Sequence, residues 1–272
     1  RRKATLRCRP CPCERPPMTL ELVTIPCLKD NYAYLLHDAG SGETVLIDAP
    51  DAAPILAELQ KRSWGLDAIW LTHHHWDHID GVTALVEATS AAVLGAAADA
   101  HRLPPLTRAL AEGDSIAIGT ELAHVLDVSG HTLGHIAFYM PSSGFAFTAD
   151  SLMAAGCGRL FEGTPDQMFA SLAKLRALPP ETLICSGHEY TTSNLTFAAT
   201  VDPQNAALQA RIAKVTKARA ERRATVPSRL SGELATNPFL RANDPYIRAT
   251  LGMTLASDSE VFARLRSMKD SF

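Results

Sequence analysis

From Leu20 to about His188 the chain alternates short apolar runs with amphipathic stretches. The runs LELVTI, YAYLLHD, TVLIDAP, AIWLT, AAVLGA, IAFYM, FAFTAD and TLICSG, together with Ser115–Val128, read as strands. They are rich in β-branched and aromatic residues and bounded by turn formers. Helices are predicted between them. In DAAPILAELQKR, Asp51 is placed to cap, Pro54 sits early, and Ile55 and Leu59 share a face. In TPDQMFASLAKL, Thr164 and Gln167 make a capping box with Pro165 at the first helical position, and Met168, Leu172 and Leu175 mark the apolar face. HIDGVTALVEA reads as one helix that begins at Asp77 and His78 and faces inward through Val82, Leu85 and Val86. After about Thr191 the strand pattern stops. Helical spacing takes over at Leu208, Ile212 and Val215, at Ile247 and Leu251, and at Val261, Leu265 and Met268. The expectation is a mixed β/α layered unit over 18–190, followed by a smaller helical one over 191–272.

Residues 1–17 fit neither pattern. They carry six basic residues, one acid, three cysteines and four prolines, and no apolar core of a secretory signal. They are expected to be a disordered or non-native extension. Without them the chain holds 20 basic and 28 acidic residues, a poor start for binding a phosphate backbone. The other cysteines, Cys27, Cys157 and Cys185, are odd in number and widely spaced, so no disulfide framework is expected. No apolar run reaches the roughly 18–20 residues of a membrane span. A monomer in a reducing cytoplasm, with neither nucleic acid nor membrane as partner, is the expected setting.

The candidate chemistry lies in THHHWDH, residues 72–78. Off the end of a strand, residues two apart point the same way, so His73 and His75 face one point and His74 faces away. Asp77 and His78 follow, differently aimed. The same arrangement recurs at His131 after HVLDVSG, at Asp150 after FAFTA and at His188 after TLICSG: a polar ligand type at the carboxyl end of a strand. Strands side by side bring such ends to one edge. Five histidines and two aspartates exceed one catalytic zinc site, which takes about three protein ligands, and suit two metals. Two such ions supply hydroxide at neutral pH and steady an oxyanion, so no serine or cysteine nucleophile is needed. His37, His101, His124 and His135 read as structural.

The pattern T-H-x-H-x-D-H, with the later G-H-T, T-x-D and S-G-H-E-Y, resembles the metallo-β-lactamase superfamily. GCGRLFEGT, NPFLR and the closing RSMKDSF are more specifically similar to glyoxalase II, the hydroxyacylglutathione hydrolases. The resemblance implies an α+β fold: an αββα sandwich followed by an all-helical domain that completes the substrate site. It implies one metal on His73, His75 and His131, a second on Asp77, His78 and His188, and Asp150 between them. Asp77 and Asp150 are thereby candidate catalytic residues. Zinc is the expected metal, with iron or manganese as alternatives. The implied reaction is hydrolysis of S-D-lactoylglutathione to D-lactate and glutathione by a dimetal-bridged hydroxide. Arg159, Phe161, Tyr190, Arg266 and Lys269 match positions that meet the glutathione thioester. Animal members have lysine at the place of Arg159, which keeps the charge, and tyrosine at that of Phe161, which here loses a hydroxyl. Rival readings are another hydrolase of the superfamily (a lactonase or other thioesterase), an iron persulfide dioxygenase, an RNA-processing nuclease and a non-enzymatic binding module. The full ligand set and the acidic body disfavour the dioxygenase and the nuclease respectively.

Overall fold

The computed structural model describes residues 20–272; the reading of residues 1–17 lies outside them. Two six-stranded sheets stack face to face. The first runs in chain order through β1 (Leu20–Cys27), β2 (Asn31–Asp38), β3 (Thr44–Ile47), β4 (Ala68–Trp70), β5 (Ala92–Ala96) and β6 (Arg108–Leu110), parallel from β3 onward. The second begins with β7 (Ser115–Ile118), β8 (Glu121–Asp127), β9 (Ile136–Met140) and β10 (Phe145–Ala149). A small hairpin follows, β11 (Leu152–Met153) with β12 (Gly156–Cys157). β13 (Leu183–Ser186) then lies parallel to β10, and β14 (Ser228–Arg229) closes that edge.

Strand alternation explains the layers. In β2, Tyr34 and Leu36 join Trp70, Phe138 and Phe147 between the sheets, while Ala33 and Leu35 face outward. That outer face is covered by α1 (Ala52–Arg62) and by α3 (Val82–Thr89), which follows the single-turn α2 (Trp76–Ile79). Ala137, Ala146 and Ile184 face out of the second sheet onto α4 (Pro165–Arg176). Both predicted caps form: Asp51 accepts from Ala53 N, and Thr164 and Gln167 make their reciprocal box. The αββα sandwich is therefore as expected.

The remaining helices are α5 (Thr191–Val201), α6 (Ala206–Ala220), α7 (Leu230–Thr236), α8 (Pro245–Thr250) and α9 (Asp258–Asp270). Phe197, Phe239, Ile247, Val261 and Phe262 from this region share one apolar cluster with Met168 and Leu172 of α4. The helical part is thus packed onto the second sheet's outer layer. Among the described residues, no helix is long and apolar enough to cross a membrane.

Two local expectations need correction. HIDGVTALVEA is not one helix; it breaks between Ile79 and Val82. Gly81 N bonds Ala49 O at 2.8 Å, and a Cβ at Gly81 would lie 2.8 Å from Ala52 N. The chain is pressed against the β3–α1 connection, and that contact displaces the helical bond pattern. The region after Thr191 also contributes a strand, β14. Two residues are too few to show a period, and the same holds for β11 and β12.

Candidate metal centre

Five carboxyl ends meet at one edge of the sandwich. β3 delivers Asp48, β4 the run beginning at Thr72, β10 Asp150 and β13 His188. β8 runs in the same direction as β10, two antiparallel steps away, and leads to His131. The turns there are strained: Asp48 has φ 56° and Ala149 φ 40°, left-handed backbone in residues other than glycine. Such strain costs roughly 1–3 kcal/mol per residue and persists where surroundings enforce it. Gly187 is required for closeness, since a Cβ would lie 2.5 Å from Asp150 Oδ1 and 2.7 Å from His78 Cε1.

The seven candidate ligands converge as two triads around one carboxylate. In the first triad, His75 Nδ1 is 3.2 Å from His73 Nε2 and 3.0 Å from His131 Nε2. In the second, His188 Nε2 is 3.3 Å from His78 Nε2 and 3.4 Å from Asp77 Oδ2. Asp150 lies between them. Its Oδ2 is 3.5 Å from His131 Nε2 and 3.2 Å from His188 Nε2, and its Oδ1 is 3.6 Å from His78 Nε2.

The far side of each ring shows what the near side does. Thr72 Oγ1 donates its one hydrogen to Asp48 Oδ2 at 2.8 Å, so it accepts from His73 Nδ1 at 3.0 Å. His131 Nδ1 donates to the Arg159 carbonyl at 2.7 Å, His78 Nδ1 to Asp48 Oδ2 at 2.8 Å, and His188 Nδ1 to Asp30 Oδ1 at 2.9 Å. With Nδ1 carrying the hydrogen, each Nε2 presents a lone pair to the centre. Lone pairs facing one another at such distances repel unless a cation lies between them. The spacing is close to the edge of a tetrahedron with metal–nitrogen bonds of about 2.0–2.1 Å. Asp150 Oδ1 is buried with no hydrogen-bond partner, a further sign that a cation belongs there. The residues fit two metal ions.

Electrostatics agree. Burial pushes His73 well below the usual imidazole range, His75 down to about 4, and His131 down as well. Neutral imidazole is the ligating form. Burial also works against charge on His78 and His188, but the Asp150 carboxylate, aided by Asp48 at His78, holds both above the ordinary value. Burial works against the Asp150 charge too, yet His188 and His78 hold its carboxyl well below the usual range. The second triad demands positive charge, which a proton or a metal supplies at the same nitrogens. Asp48 also lies near His73 and His78, but its oxygens are taken by Thr72 N, Thr72 Oγ1 and His78 Nδ1. It orients the His78 ring directly and the His73 ring through Thr72.

A cavity of about 740 Å³ opens above the centre. Phe161, largely exposed, stands edge-on to His75 and His131 with ring centroids 5.5 and 5.3 Å away. Tyr190 stacks on His188 at 4.6 Å, and burial raises its hydroxyl to about 12. Lys269 Nζ reaches Ser193 Oγ at 3.0 Å. The Arg159 side chain is 58% exposed, with Nε 3.4 Å from Asp270. Arg266 also lines the cavity, but it is buried, donating to the Cys157 carbonyl at 2.9 Å and to Asp270 at 2.9 Å. The three cations therefore differ: Arg159 and Lys269 are open to a ligand, and Arg266 is largely committed to the protein.

His74 turns away to Asp99 at 3.1 Å, as its alternation predicted. His135 is buried, stacks on His73 at 4.6 Å, and is lowered to about 3 by burial. His37 stacks on Trp64 and His124 bonds Ser115, both in side-chain contacts of their own strands' surroundings. Cys157 and Cys185 are buried and their thiols pushed up, which opposes a thiolate nucleophile. The sequence reading missed Asp48, Asp30, Thr72 and Asn31, whose Nδ2 holds Asp77 Oδ2 at 3.0 Å. Asp48 was visible as a strand-end acid in TVLID; Asp30 sits in a turn and Asn31 opens β2, neither with a distinguishing pattern.

Residues 29–188 match the family described as the metallo-beta-lactamase superfamily, and residues 189–272 match the hydroxyacylglutathione hydrolase C-terminus. The hydroxyacylglutathione hydrolase of Ruegeria pomeroyi is 63% identical over 255 residues, 94% of this chain and 100% of that protein. The protein of the same name from Jannaschia sp. is 63% identical over 252 residues, 93% of this chain and 98% of its own. Among solved structures, the B3 metallo-beta-lactamase BLEG-1 superposes with TM-score 0.64 at 23% identity, covering 81% of this chain and 99% of its own. TTHA1623 in a di-iron-bound form superposes with TM-score 0.54 at 34% identity over 62% of this chain and 91% of its own. With its catalytic-fold and C-terminal portions both matched, the chain belongs to the hydroxyacylglutathione hydrolase family of the metallo-β-lactamase superfamily.

Proposed function

We propose that the chain hydrolyses S-D-lactoylglutathione and related 2-hydroxyacyl thioesters of glutathione to the hydroxy acid and glutathione. The observation that carries this reading is the paired triad around Asp150 at the floor of a cavity whose far wall bears Arg159 and Lys269. The activity named for the relatives and the two irons named for TTHA1623 support it. His73, His75 and His131 would hold one ion, Asp77, His78 and His188 the other, with Asp150 shared. Zinc is the proposed metal, with iron or manganese suited to the same nitrogen and oxygen ligands. Bound there, two divalent ions supply a hydroxide at neutral pH and polarise the thioester carbonyl.

The chain's own groups do the rest. Arg159 and Lys269 bind the carboxylates of the glutathione part, Lys269 projecting from α9 and Arg159 from the loop after β12. Tyr190 and Phe161 flank the acyl end, where their rings exclude water on either side of the ligand imidazoles. Asp77, steadied by Asn31, is placed to take the proton from the attacking water. Residues 18–190 act as the catalytic unit, and 191–272 as the unit that completes the substrate site. A monomer in a reducing cytoplasm completes the proposal, and the buried free thiols are compatible with it.

The test compares S-D-lactoylglutathione with the D-lactoyl thioester of N-acetylcysteamine, which lacks the peptide carboxylates. The glutathione ester is expected to be strongly preferred. Lys269→Ala is expected to raise KM for it roughly 5–30-fold, the loss of about 1–2 kcal/mol of charge-assisted bonding, with kcat little changed. Arg266→Ala is expected to lower Tm as well, because it leaves the buried Cys157 carbonyl without its donor and takes away one of the two cations at Asp270. Equal turnover of both thioesters would refute glutathione as the recognised group.

A further inference from the structure

Glu233 of α7 is wholly buried, although carboxylates are rarely so unless paired. Arg211 and Ser228 take one of its oxygens, the serine at 2.6 Å. The other oxygen accepts from the backbone N–H of Ala155 at 2.7 Å, with Asn237 Nδ2 at 3.4 Å. All of these partners except Ala155 belong to the C-terminal region. Ala155 is at the turn of the β11–β12 hairpin, in left-handed backbone with φ 57°. Two more side chains from the C-terminal region hold the same turn. Asn194 Nδ2 donates to the Ala154 carbonyl at 3.1 Å, and Asn237 Nδ2 donates to the Gly156 carbonyl at 2.9 Å. A ribbon with two residues per strand does not sustain itself, so these bonds set its position.

The hairpin is the frame of the metal centre's substrate side. It departs from Asp150, and at its return Gly158 N bonds Ser151 O at 3.1 Å. The next residue, Arg159, offers its carbonyl to His131 Nδ1 and its side chain to the cavity. Glu233 itself bonds none of the seven candidate ligands. We propose that Glu233 is a positioning residue: by pinning the Ala155 turn it fixes the His131 ring and the Arg159 cation together, and so couples metal retention to substrate binding. The substrate half of this inference rests on the function proposed above; the metal half does not.

Glu233→Gln tests it, since the amide keeps a single acceptor oxygen and must set its NH2 either against Arg211 and Ser228 or against the Ala155 N–H, so one side of the pin is lost together with the charge. The readouts are the rate at which a chelator strips metal from the loaded protein, the KM and kcat for S-D-lactoylglutathione, and Tm. The comparison variant is Ile247→Ala, a buried apolar truncation in α8 that touches no hairpin bond. The expected result is metal loss faster by roughly tenfold, within the range for partners that orient ligands, and a KM raised several-fold. Ile247→Ala is expected to lower Tm without either change. Equal metal loss in the two variants at matched Tm would overturn the proposal. Should Glu233→Gln not fold, hydrogen exchange at the Ala155 amide of the unaltered protein decides: exchange as slow as in β10 is required, and rapid exchange refutes the pin. Metal release needs no substrate, so failure of the proposed activity and failure of the pin are separately visible.

Discussion

Asp150→Ala is expected to strip metal from both triads and abolish turnover. Among the described residues, Asp150 is the side chain whose oxygens face nitrogens of both: His131 on one side, His188 and His78 on the other. Its carboxylate is also the charge that offsets burial at His78 and His188. In the proposed ligand set, alanine would remove a ligand from each ion and leave two buried imidazoles without their counter-charge. The loss should far exceed the roughly 10–100-fold typical of an orienting partner. Metal analysis on purified variant and parent checks it. Metal content unchanged from the parent would break the assignment of Asp150 as the shared ligand.

The second large effect is expected at Asp48, which is not among the seven proposed ligands. Its carboxylate accepts from Thr72 N, Thr72 Oγ1 and His78 Nδ1, each at 2.8 Å. Asp48→Ala would leave three buried donors without an acceptor. Each costs about 1–3 kcal/mol, so roughly 3–6 kcal/mol is expected in total after partial relaxation. Alanine also tolerates the left-handed backbone at this position less well than aspartate, so no strain is relieved. At about 2–4 °C per kcal/mol for a chain of this size, Tm should fall by roughly 10 °C. His78 loses its orientation with Asp48, and His73 loses the hydroxyl geometry that fixed its tautomer. Metal affinity should therefore fall by roughly 10–100-fold. Thermal melts with and without added metal check both parts. A variant with unchanged Tm and metal affinity would show that the Thr72–Asp48–His78 network contributes nothing.

Much of this was legible in the chain because strand geometry is local. Alternation along THHHWDH aimed His73 and His75 one way and His74 the other, and the structure has His74 on Asp99. His131, Asp150 and His188 were readable because each follows an apolar run, and parallel strands carry such ends to one edge. The orienting shell was less legible. Asp30 meets His188 from a turn far away in sequence, through a bridge between Asn31 and His188 that no local pattern encodes. The break at Gly81 was hidden for the same reason: it is caused by the backbone of Ala49 and Ala52, not by the helix's own residues. Arg266 and Lys269 look equivalent as neighbours on α9. Only packing shows one buried against Phe239 and Cys157 and the other reaching into the cavity.

Two metal ions together are expected to make this chain a glutathione thioesterase. The most direct measurement adds zinc stepwise to metal-free protein and follows thiol release from S-D-lactoylglutathione, with bound metal determined on each sample. The account predicts turnover that rises to a plateau at about two ions per chain, the complement of a two-metal site. Full activity at one ion, or no thiol release with two bound, would contradict it.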